Sequence, residues 1–315
     1  NTVPGAQSVN EDTVLSISGI SVADQGTLTL TVGLSALNGS LNVNLAGGAT
    51  INAGANGTAA LSLTGSLAQV NAALATLTYQ GNANYNGGDT LSVVSTDPST
   101  LTANSSVSIT VLAVNDAPTI TNGASVALTG TDENTTSTPL LVSNLLTSAT
   151  WADADTGALK GVAITAAAGN GTWQYSTNGV TWTAFGSVSA SSALLLTDNS
   201  QIRYIPDGSN GETATFAFKA WDQTTGSGSL NGAPSYANPG AGGGSTAYSS
   251  QDASASLTVS AVNDAPIITS NGGGATASIS LAENVSAVTT VTATDADLPA
   301  QTLTYSISGA DAGRF

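Results

Sequence analysis

The sequence predicts an all-β protein: an extended array of tandem antiparallel β-sandwiches, with one short helix in the first domain. Most segments alternate apolar and polar residues with a period of two, which is typical of half-buried strands. Thr, Ser, Asn and Gly fill much of the rest, as expected for short strands joined by many turns. The hexapeptide Ala-Val-Asn-Asp-Ala-Pro occurs at 113–118 and again at 261–266, each time after an alternating strand. A repeated joint of this kind predicts a tandem array.

The two hexapeptides set the domain boundaries that we expect. The predicted order is a first domain at 1–113, a linker at 114–118, a larger domain at 119–261, a linker at 262–266, and the N-terminal part of a third, incomplete domain at 267–315. The last segment has room for three or four strands, too few to close a sandwich. Its open edges predict completion by further chain or by a neighbouring molecule.

The helix is predicted at 66–76. Ser66 is a good N-cap, and Leu67, Val70, Leu74 and Leu77 follow at helical spacing. We expect this helix to pack across one end of the first sandwich.

The second domain carries a hairpin signal and a long loop. Between Trp173 and Trp182, Asn178-Gly179 suits a type I′ turn, which would place Tyr175 opposite Trp182. These aromatic side chains are either a cross-strand pair or a surface on which sugars stack. Residues 225–246 are rich in Gly, Ser, Pro and Asn and predict a long loop.

Composition limits the function. The chain has 4 Lys and Arg residues and 20 Asp and Glu residues, so its net charge is −16. This charge disfavours binding to nucleic acid and to anionic membranes. The chain has no Cys, Met or His, which excludes disulfides, thiolate zinc sites and Ser-His-Asp triads. Carboxylate and carbonyl oxygens remain, and they suit calcium and magnesium. No apolar run is long enough to span a membrane, and no signal peptide is visible.

The acids recur in a fixed order in each domain. An early acid stands beside Asn or Asp, an Asp-x-Asp turn or part of one follows, and a later strand ends at Asp in the first two domains. These residues are Glu11, Asp24 and Asp97 in the first domain, Glu133, Asp153, Asp155 and Asp222 in the second, and Glu283, Asp295 and Asp297 in the third.

With the Val-Asn-Asp-Ala-Pro joints, this order resembles the cadherin-like repeats (Ig-like β-sandwiches) of giant bacterial surface adhesins of the RTX type. The resemblance implies calcium at two joints. The first joint would gather Glu11, Asn115, Asp116, Asp153, Asp155 and Asp222, and the second Glu133, Asn263, Asp264, Asp295 and Asp297. It also implies that Asp24 and Asp97 face a preceding domain.

The charge distribution independently favours bound calcium. Clustered carboxylates repel one another, and the chain has few Lys or Arg side chains to offset that repulsion. Calcium tolerates irregular carboxylate geometry better than magnesium does. The alternative is that the Asn-Asp pairs only cap turns. The linkers lack the leading acid of classical cadherins, since Ala113 and Ala261 stand there, so we expect one or two ions per joint. Asp89 and Glu212, in the Asn-Gly turns at 84–89 and 207–212, are possible substitute ligands.

The favoured function is a calcium-rigidified stalk segment of a bacterial surface adhesin, extracellular or secreted, which serves cell adhesion or biofilm. Its partners would be neighbouring repeats of the chain, and possibly other copies of itself or surface glycans. One alternative is a subunit of a self-assembling filament, sheath or surface layer completed by strand exchange. Another is a carbohydrate-binding module with exposed Trp173 or Trp182. We expect no enzymatic activity, because the paired acids lie in repeat-end motifs.

Overall fold

A computed structural model describes residues 1–25, 29–209, 211–310 and 312–314, without the side chain of Arg314. Asn210, in the turn predicted at 207–212, and part of the chain end lie outside the described residues. The chain forms two compact units, Asn1–Asp116 and Ala117–Phe315.

The first unit is a two-layer β-structure. A six-stranded sheet has the order β1-β9-β8-β3-β6-β5, and a three-stranded sheet has the order β2-β7-β4. The strands are β1 Gln7–Asn10, β2 Val14–Ser16, β3 Leu30–Ser35, β4 Gly39–Asn42, β5 Thr50–Gly54, β6 Ala60–Gly65, β7 Thr78–Gly81, β8 Gly87–Thr96 and β9 Thr102–Leu112. Strand β1 pairs in parallel with β9, which places the start of this unit beside its last strand.

Alternation along the strands builds the first core. Strand β3 buries Leu30, Val32 and Leu34, and leaves the residues between them at the surface or half-buried. The predicted helix is confirmed as α1, Leu67–Leu74. Ser66 and Gln69 form a capping box at its start, and its buried face closes one end of the core.

The second unit has a larger pair of sheets. A seven-stranded sheet has the order β10-β20-β18-β13-β16-β19, with β11 also paired to β20, and a four-stranded sheet has the order β12-β17-β14-β15. The strands are β10 Ser125–Ala127, β11 Thr131–Asp132, β12 Leu140–Leu141, β13 Gly161–Ala168, β14 Thr172–Ser176, β15 Thr183–Ala184, β16 Ala193–Thr197, β17 Gln201–Ile205, β18 Glu212–Trp221, β19 Tyr236–Ala237 and β20 Ala253–Ser260. The all-β prediction is therefore confirmed.

A second short helix, α2 at Val142–Ser148, was not predicted. Its start lacks a side-chain cap. The buried residues Val142, Leu145 and Leu146 have the helical spacing that could have revealed it.

The hairpin exists, but its predicted register is wrong by one residue. Tyr175 pairs with Thr183 and not with Trp182. The reason is a longer loop: the Asn178 side-chain oxygen accepts hydrogen bonds from Val180 N and Thr181 N, both at 2.9 Å. Only Gly179 of the predicted tip has a positive φ, 73°, so the turn is not type I′.

Aromatic packing fills the second core. Trp173 is 5% exposed and contacts Phe185, Tyr204 and Phe216, with ring centroids 4.8–6.1 Å apart. Trp182 is half-buried, and the Arg203 guanidinium lies 4.1 Å from its ring centroid. Neither side chain offers the open surface that the sugar-stacking hypothesis required.

The chain after the second hexapeptide contains little regular structure in its described part. Strands β21, Ile267–Ile268, and β22, Ala293–Thr294, form an antiparallel pair, and 3-10 helices lie at Ser270–Gly272 and Ala312–Arg314. This is fewer than the three or four strands expected. The division into three domains stays a prediction.

Candidate metal centre

Glu133 lies at the end of the second unit's sandwich, beside the linker that follows β20. It comes directly after β11, which runs in parallel beside the end of β20. Glu133 N donates to Ser260 O at 3.0 Å, which fixes the residue next to the last residue of β20. The side chain is 2% exposed, so this pairing buries a carboxylate beside residues 261–264.

The two oxygens of the Glu133 carboxylate have different surroundings. Oε1 accepts a hydrogen bond from Val262 N at 2.9 Å. Oε2 is buried and has no hydrogen-bond partner. A buried charged oxygen without a partner costs roughly 1–3 kcal/mol or more, so it favours a cation or a donor that would complete it.

Asp297 contributes a second buried carboxylate, 7% exposed. Asp264 N lies 3.2 Å from its Oδ1 and 3.1 Å from its Oδ2, and Gln301 Nε2 donates to Oδ2 at 2.5 Å. The Asp297 backbone N donates to Asp295 Oδ1 at 3.0 Å, which closes the predicted Asp-x-Asp turn. The turn thus orients Asp297 toward the linker.

Glu133, Asp264 and Asp297 form the acidic cluster. One carboxylate oxygen from each lies within 4.8 Å of the others. Two unit charges about 4 Å apart repel by about 4 kcal/mol at an effective dielectric of about 20. The one salt bridge among the described residues joins Lys219 and Asp252, so no Lys or Arg neutralises the cluster there.

The donor set of the acidic cluster fits a hard divalent cation. All three ligand atoms are oxygens, as calcium and magnesium prefer, and one of the buried carboxylates has an oxygen without a partner. Two further predicted ligands lie next to the cluster. Asn263 donates through Nδ2 to Asp264 O at 3.0 Å, and Asp295 holds the Asp297 backbone.

The first-unit residues of the other predicted joint repeat part of this pattern. Glu11 is 4% exposed, and its Oε1 accepts from Val114 N at 2.6 Å. Asn115 Nδ2 donates to Asp116 O at 3.2 Å, as Asn263 does to the next residue. The Glu11 Oε2 differs, because Asn86 Nδ2 donates to it at 3.5 Å.

The second-unit residues of that joint form local turns. Asp155 N donates to Asp153 Oδ1 at 2.9 Å, the same closure as at Asp295 and Asp297. Asp222 is 2% exposed, and its Oδ1 accepts from Thr224 N at 2.8 Å and Thr224 Oγ1 at 2.6 Å.

At the other end of the first unit, Asp24 and Asp97 line one cavity of about 180 Å³. Asp97 Oδ1 accepts from Leu101 N at 2.9 Å. That Asp24 and Asp97 face a preceding domain stays a prediction.

Asp89 and Glu212 have structural partners within their own units. Tyr79 OH donates to Asp89 Oδ2 at 2.9 Å, and Tyr204 OH donates to Glu212 Oε1 at 2.5 Å. Burial raises the pKa of both tyrosines, and the hydrogen bond to the nearby acid raises each pKa further. Two matching tyrosine–acid pairs were therefore missed in the sequence, although Tyr precedes each acid by a similar interval.

Comparisons with known proteins add a partial match. The family model described as the Protein GAMETE EXPRESSED 2 domain matches residues 7–105, within the first unit. A search of curated proteins finds no match.

Solved structures of cadherin extracellular domains resemble the chain at low identity. They include a protocadherin gammaB7 EC3-6 cis-dimer (15% identity, TM-score 0.35, covering 94% of this chain and 60% of that one). Human CDH23 EC21-23 is 12% identical with a TM-score of 0.38, and the match covers 93% of this chain and 84% of that one. Drosophila N-cadherin EC1-4 is 13% identical with a TM-score of 0.32, and the match covers 84% of this chain and 51% of that one. The chain thus spans 60% of the first of these structures. Likeness at this level gives no ligand or activity.

Within the part of the chain that the structure describes, no helix has the length and apolar character needed to cross a bilayer.

Proposed function

We propose that the chain is a calcium-rigidified, non-catalytic repeat segment of an extracellular adhesin. The observation that carries the proposal is the acidic cluster, in which the buried Oε2 of Glu133 has no partner. Glu133 belongs to the second unit's sandwich, Asp264 to the linker and Asp297 to the segment beyond. A cation bound by all three would therefore join three successive parts of the chain and stiffen the linker.

In this proposal the residues predicted at each joint act as ligands or as their supports. Glu133, Asp264 and Asp297 supply carboxylate oxygens, while Asn263 and Asp295 complete or orient the site. By the same pattern, Glu11, Asn115, Asp116, Asp153, Asp155 and Asp222 form the other joint. The repeated hydrogen bond from a linker valine to a buried glutamate, Val114 to Glu11 and Val262 to Glu133, supports this extension.

We infer the location and role of the segment from the same calcium site and acidic motifs. A segment stiffened by calcium suits the outside of a cell, where calcium is abundant, and the order of the acidic motifs supports a stalk on a bacterial surface with a role in adhesion or biofilm. Its immediate partners would be neighbouring repeats of the same chain.

The test is thermal unfolding of the full chain in chelator, in calcium and in magnesium. A ligand at about 100 times its Kd stabilises the native state by about 2.7 kcal/mol, so calcium should raise the Tm by several degrees. Glu133→Gln should abolish most of that rise. Glu283→Gln is the matched control, because it removes the same charge from an exposed glutamate. Equal melts in chelator and in calcium would reject the metal site and leave the Asn-Asp pairs as turn caps.

A second candidate function is a subunit of a self-assembling filament or sheath. It is favoured by large apolar side chains that are exposed after the second hexapeptide, including Ile267 at 66%, Tyr305 at 57% and Ile307 at 65%. Strands from another copy would cover them by β-augmentation. Light scattering separates the candidates: ordered polymers from purified chain support the filament, and monomers in calcium support the stalk.

A further inference from the structure

The second unit contains a polar cavity of about 490 Å³ between α2 and the turn that precedes β13. The side chains that matter here are of three kinds: apolar Trp151 and Leu159, charged Lys160 and Asp198, and hydroxyl-bearing Ser143 and Thr147. This volume is in the range of small-molecule sites. None of these residues belongs to the acidic cluster.

Backbone hydrogen bonds hold the walls of this cavity, which we call the Trp151 pocket. Lys160 O accepts from Asp198 N at 3.0 Å and from Gln223 Nε2 at 2.6 Å. Asp198 O in turn accepts from Ser143 N at 2.9 Å, and Trp151 N donates to Leu146 O at 3.0 Å. The pocket is thus built on fixed main chain, so a ligand would not need to order it first.

Several polar side-chain groups in the pocket have unused hydrogen-bonding capacity. Among the described residues, no hydrogen bond or ion pair involves the Asp198 carboxylate or the Ser143 hydroxyl. The indole N–H of Trp151 is buried and has no acceptor.

Lys160 gives the pocket a positive charge that is rare in this chain. Lys219 is paired with Asp252, and Arg203 bonds Gln174 and stacks on Trp182. Lys160 has no ion pair in the described structure, and its Nζ lies 4.7 Å from the Trp151 ring centroid. A flexible ammonium over an aromatic ring can move onto a bound anion at small cost.

We propose that the Trp151 pocket binds a hexuronic acid unit of an acidic glycan. The sugar carboxylate pairs with Lys160, ring hydroxyls donate to Asp198 and exchange hydrogen bonds with Ser143, and the apolar ring face covers Leu159, which is 60% exposed. Lys160 favours an acidic over a neutral sugar, because a neutral sugar would leave this charge unused. Asp198 favours a sugar over a simple carboxylate, because only a polyol has donors to offer it.

The test uses the full chain in calcium with three small probes: methyl glucuronide, methyl glucoside and sodium acetate. Binding is followed by saturation-transfer NMR and by titration of Trp fluorescence. We expect millimolar binding of the glucuronide and at least about fivefold weaker binding of the glucoside and acetate. Lys160→Gln should reduce glucuronide affinity at least about fivefold and leave the glucoside nearly unchanged. Asp198→Asn should weaken both sugars.

The matched control is Arg203→Gln, which removes the same charge beside a different tryptophan, and thermal melts verify that each variant folds. Equal affinity for glucuronide and glucoside would overturn the acidic preference. Acetate binding as tightly as the glucuronide would reduce the pocket to a carboxylate site, and no binding of any probe would reject it.

Discussion

Buried and half-buried acids of two kinds occupy this molecule, and they differ in how completely their oxygens are used. Asp89 in the first unit accepts hydrogen bonds from the backbone and from a tyrosine, and Glu212 in the second unit accepts from Tyr204 OH and Asn170 N. Glu133 is as buried as Asp89, yet one of its oxygens has no partner and two further carboxylates lie close to it.

The difference separates acids whose hydrogen bonds hold the fold from an acid that, in our proposal, binds a cation. An acid with complete hydrogen bonds stabilises its surroundings without any ligand, because protein donors replace the lost water. An acid with an unfilled oxygen beside like charges is a net cost until a cation arrives. Glu11 lies between these limits, since its second oxygen has only a 3.5 Å contact to Asn86.

The largest effect is expected for Asp89→Ala, which should lower the free energy of unfolding of the first unit by about 3 kcal/mol. The substitution removes the acceptor of four donors, of which the Tyr79 hydroxyl is buried. These donors are Leu37 N at 3.1 Å, Asn38 N at 2.9 Å, Thr90 N at 2.7 Å and Tyr79 OH at 2.9 Å. Urea unfolding measures the loss, which should be equal in calcium and in chelator.

Asp12→Ala is the control for Asp89→Ala. Asp12 is exposed and accepts one hydrogen bond, from Asn84 N at 3.2 Å, so its loss should cost less than about 1 kcal/mol. A loss at Asp89 that appears only in calcium would mean that Asp89 is a metal ligand after all.

The same substitution at Glu11 and Glu133, the two glutamates that accept from linker valines, should change stability with opposite signs in chelator. Glu133→Gln removes one charge from the acidic cluster and keeps a carbonyl oxygen for Val262 N, so we expect stabilisation by about 1–2 kcal/mol. Glu11→Gln places an amide donor opposite Asn86 Nδ2 and should destabilise by about 1 kcal/mol. Urea unfolding of both variants without metal measures the two shifts.

Glu283→Gln, at an exposed site, should stay within about 0.5 kcal/mol of the parent. Shifts of the same sign at Glu11 and Glu133 would remove the distinction between the two sites. In that case the unfilled oxygen of Glu133 would have no energetic meaning.

The fold could be predicted from the sequence because its signals are local and repeated. Period-two alternation and the two hexapeptides are readable without knowing any contact, and so is the Ser66 cap. The hairpin register was wrong because the bonds of Asn178 to Val180 and Thr181 lengthen the loop, and local turn statistics do not contain that information.

The candidate site could be predicted only in part. The acids were visible, but hydrogen-bond completeness depends on residues distant in sequence. Leu37 and Asn38 reach Asp89 across more than 50 positions, so a possible ligand in the sequence is a structural acid in the fold. In contrast, the repeated motif order grouped Glu133 with Asn263 and Asp264 of the linker. In the structure Glu133 accepts a hydrogen bond from the neighbouring Val262, which is 129 positions away.

An effect confined to alkaline pH concerns the tyrosines that complete the structural acids. Burial, and then the hydrogen bond to Asp89, raise the pKa of Tyr79 in the folded chain above its unfolded value of about 10. The stability from this group is therefore fully present below about pH 10 and is lost as the pH rises above it, by about 1.4 kcal/mol at pH 11.

Tyr79→Phe lacks the ionisable hydroxyl, so unfolding free energies measured between about pH 9 and 11 should fall less steeply than in the parent. Tyr305→Phe makes the same change at a side chain that is 57% exposed and serves as the control. Parallel slopes for Tyr79→Phe and the parent would mean that Asp89 does not hold the Tyr79 proton, and that its oxygens are less completely used than the hydrogen bonds indicate.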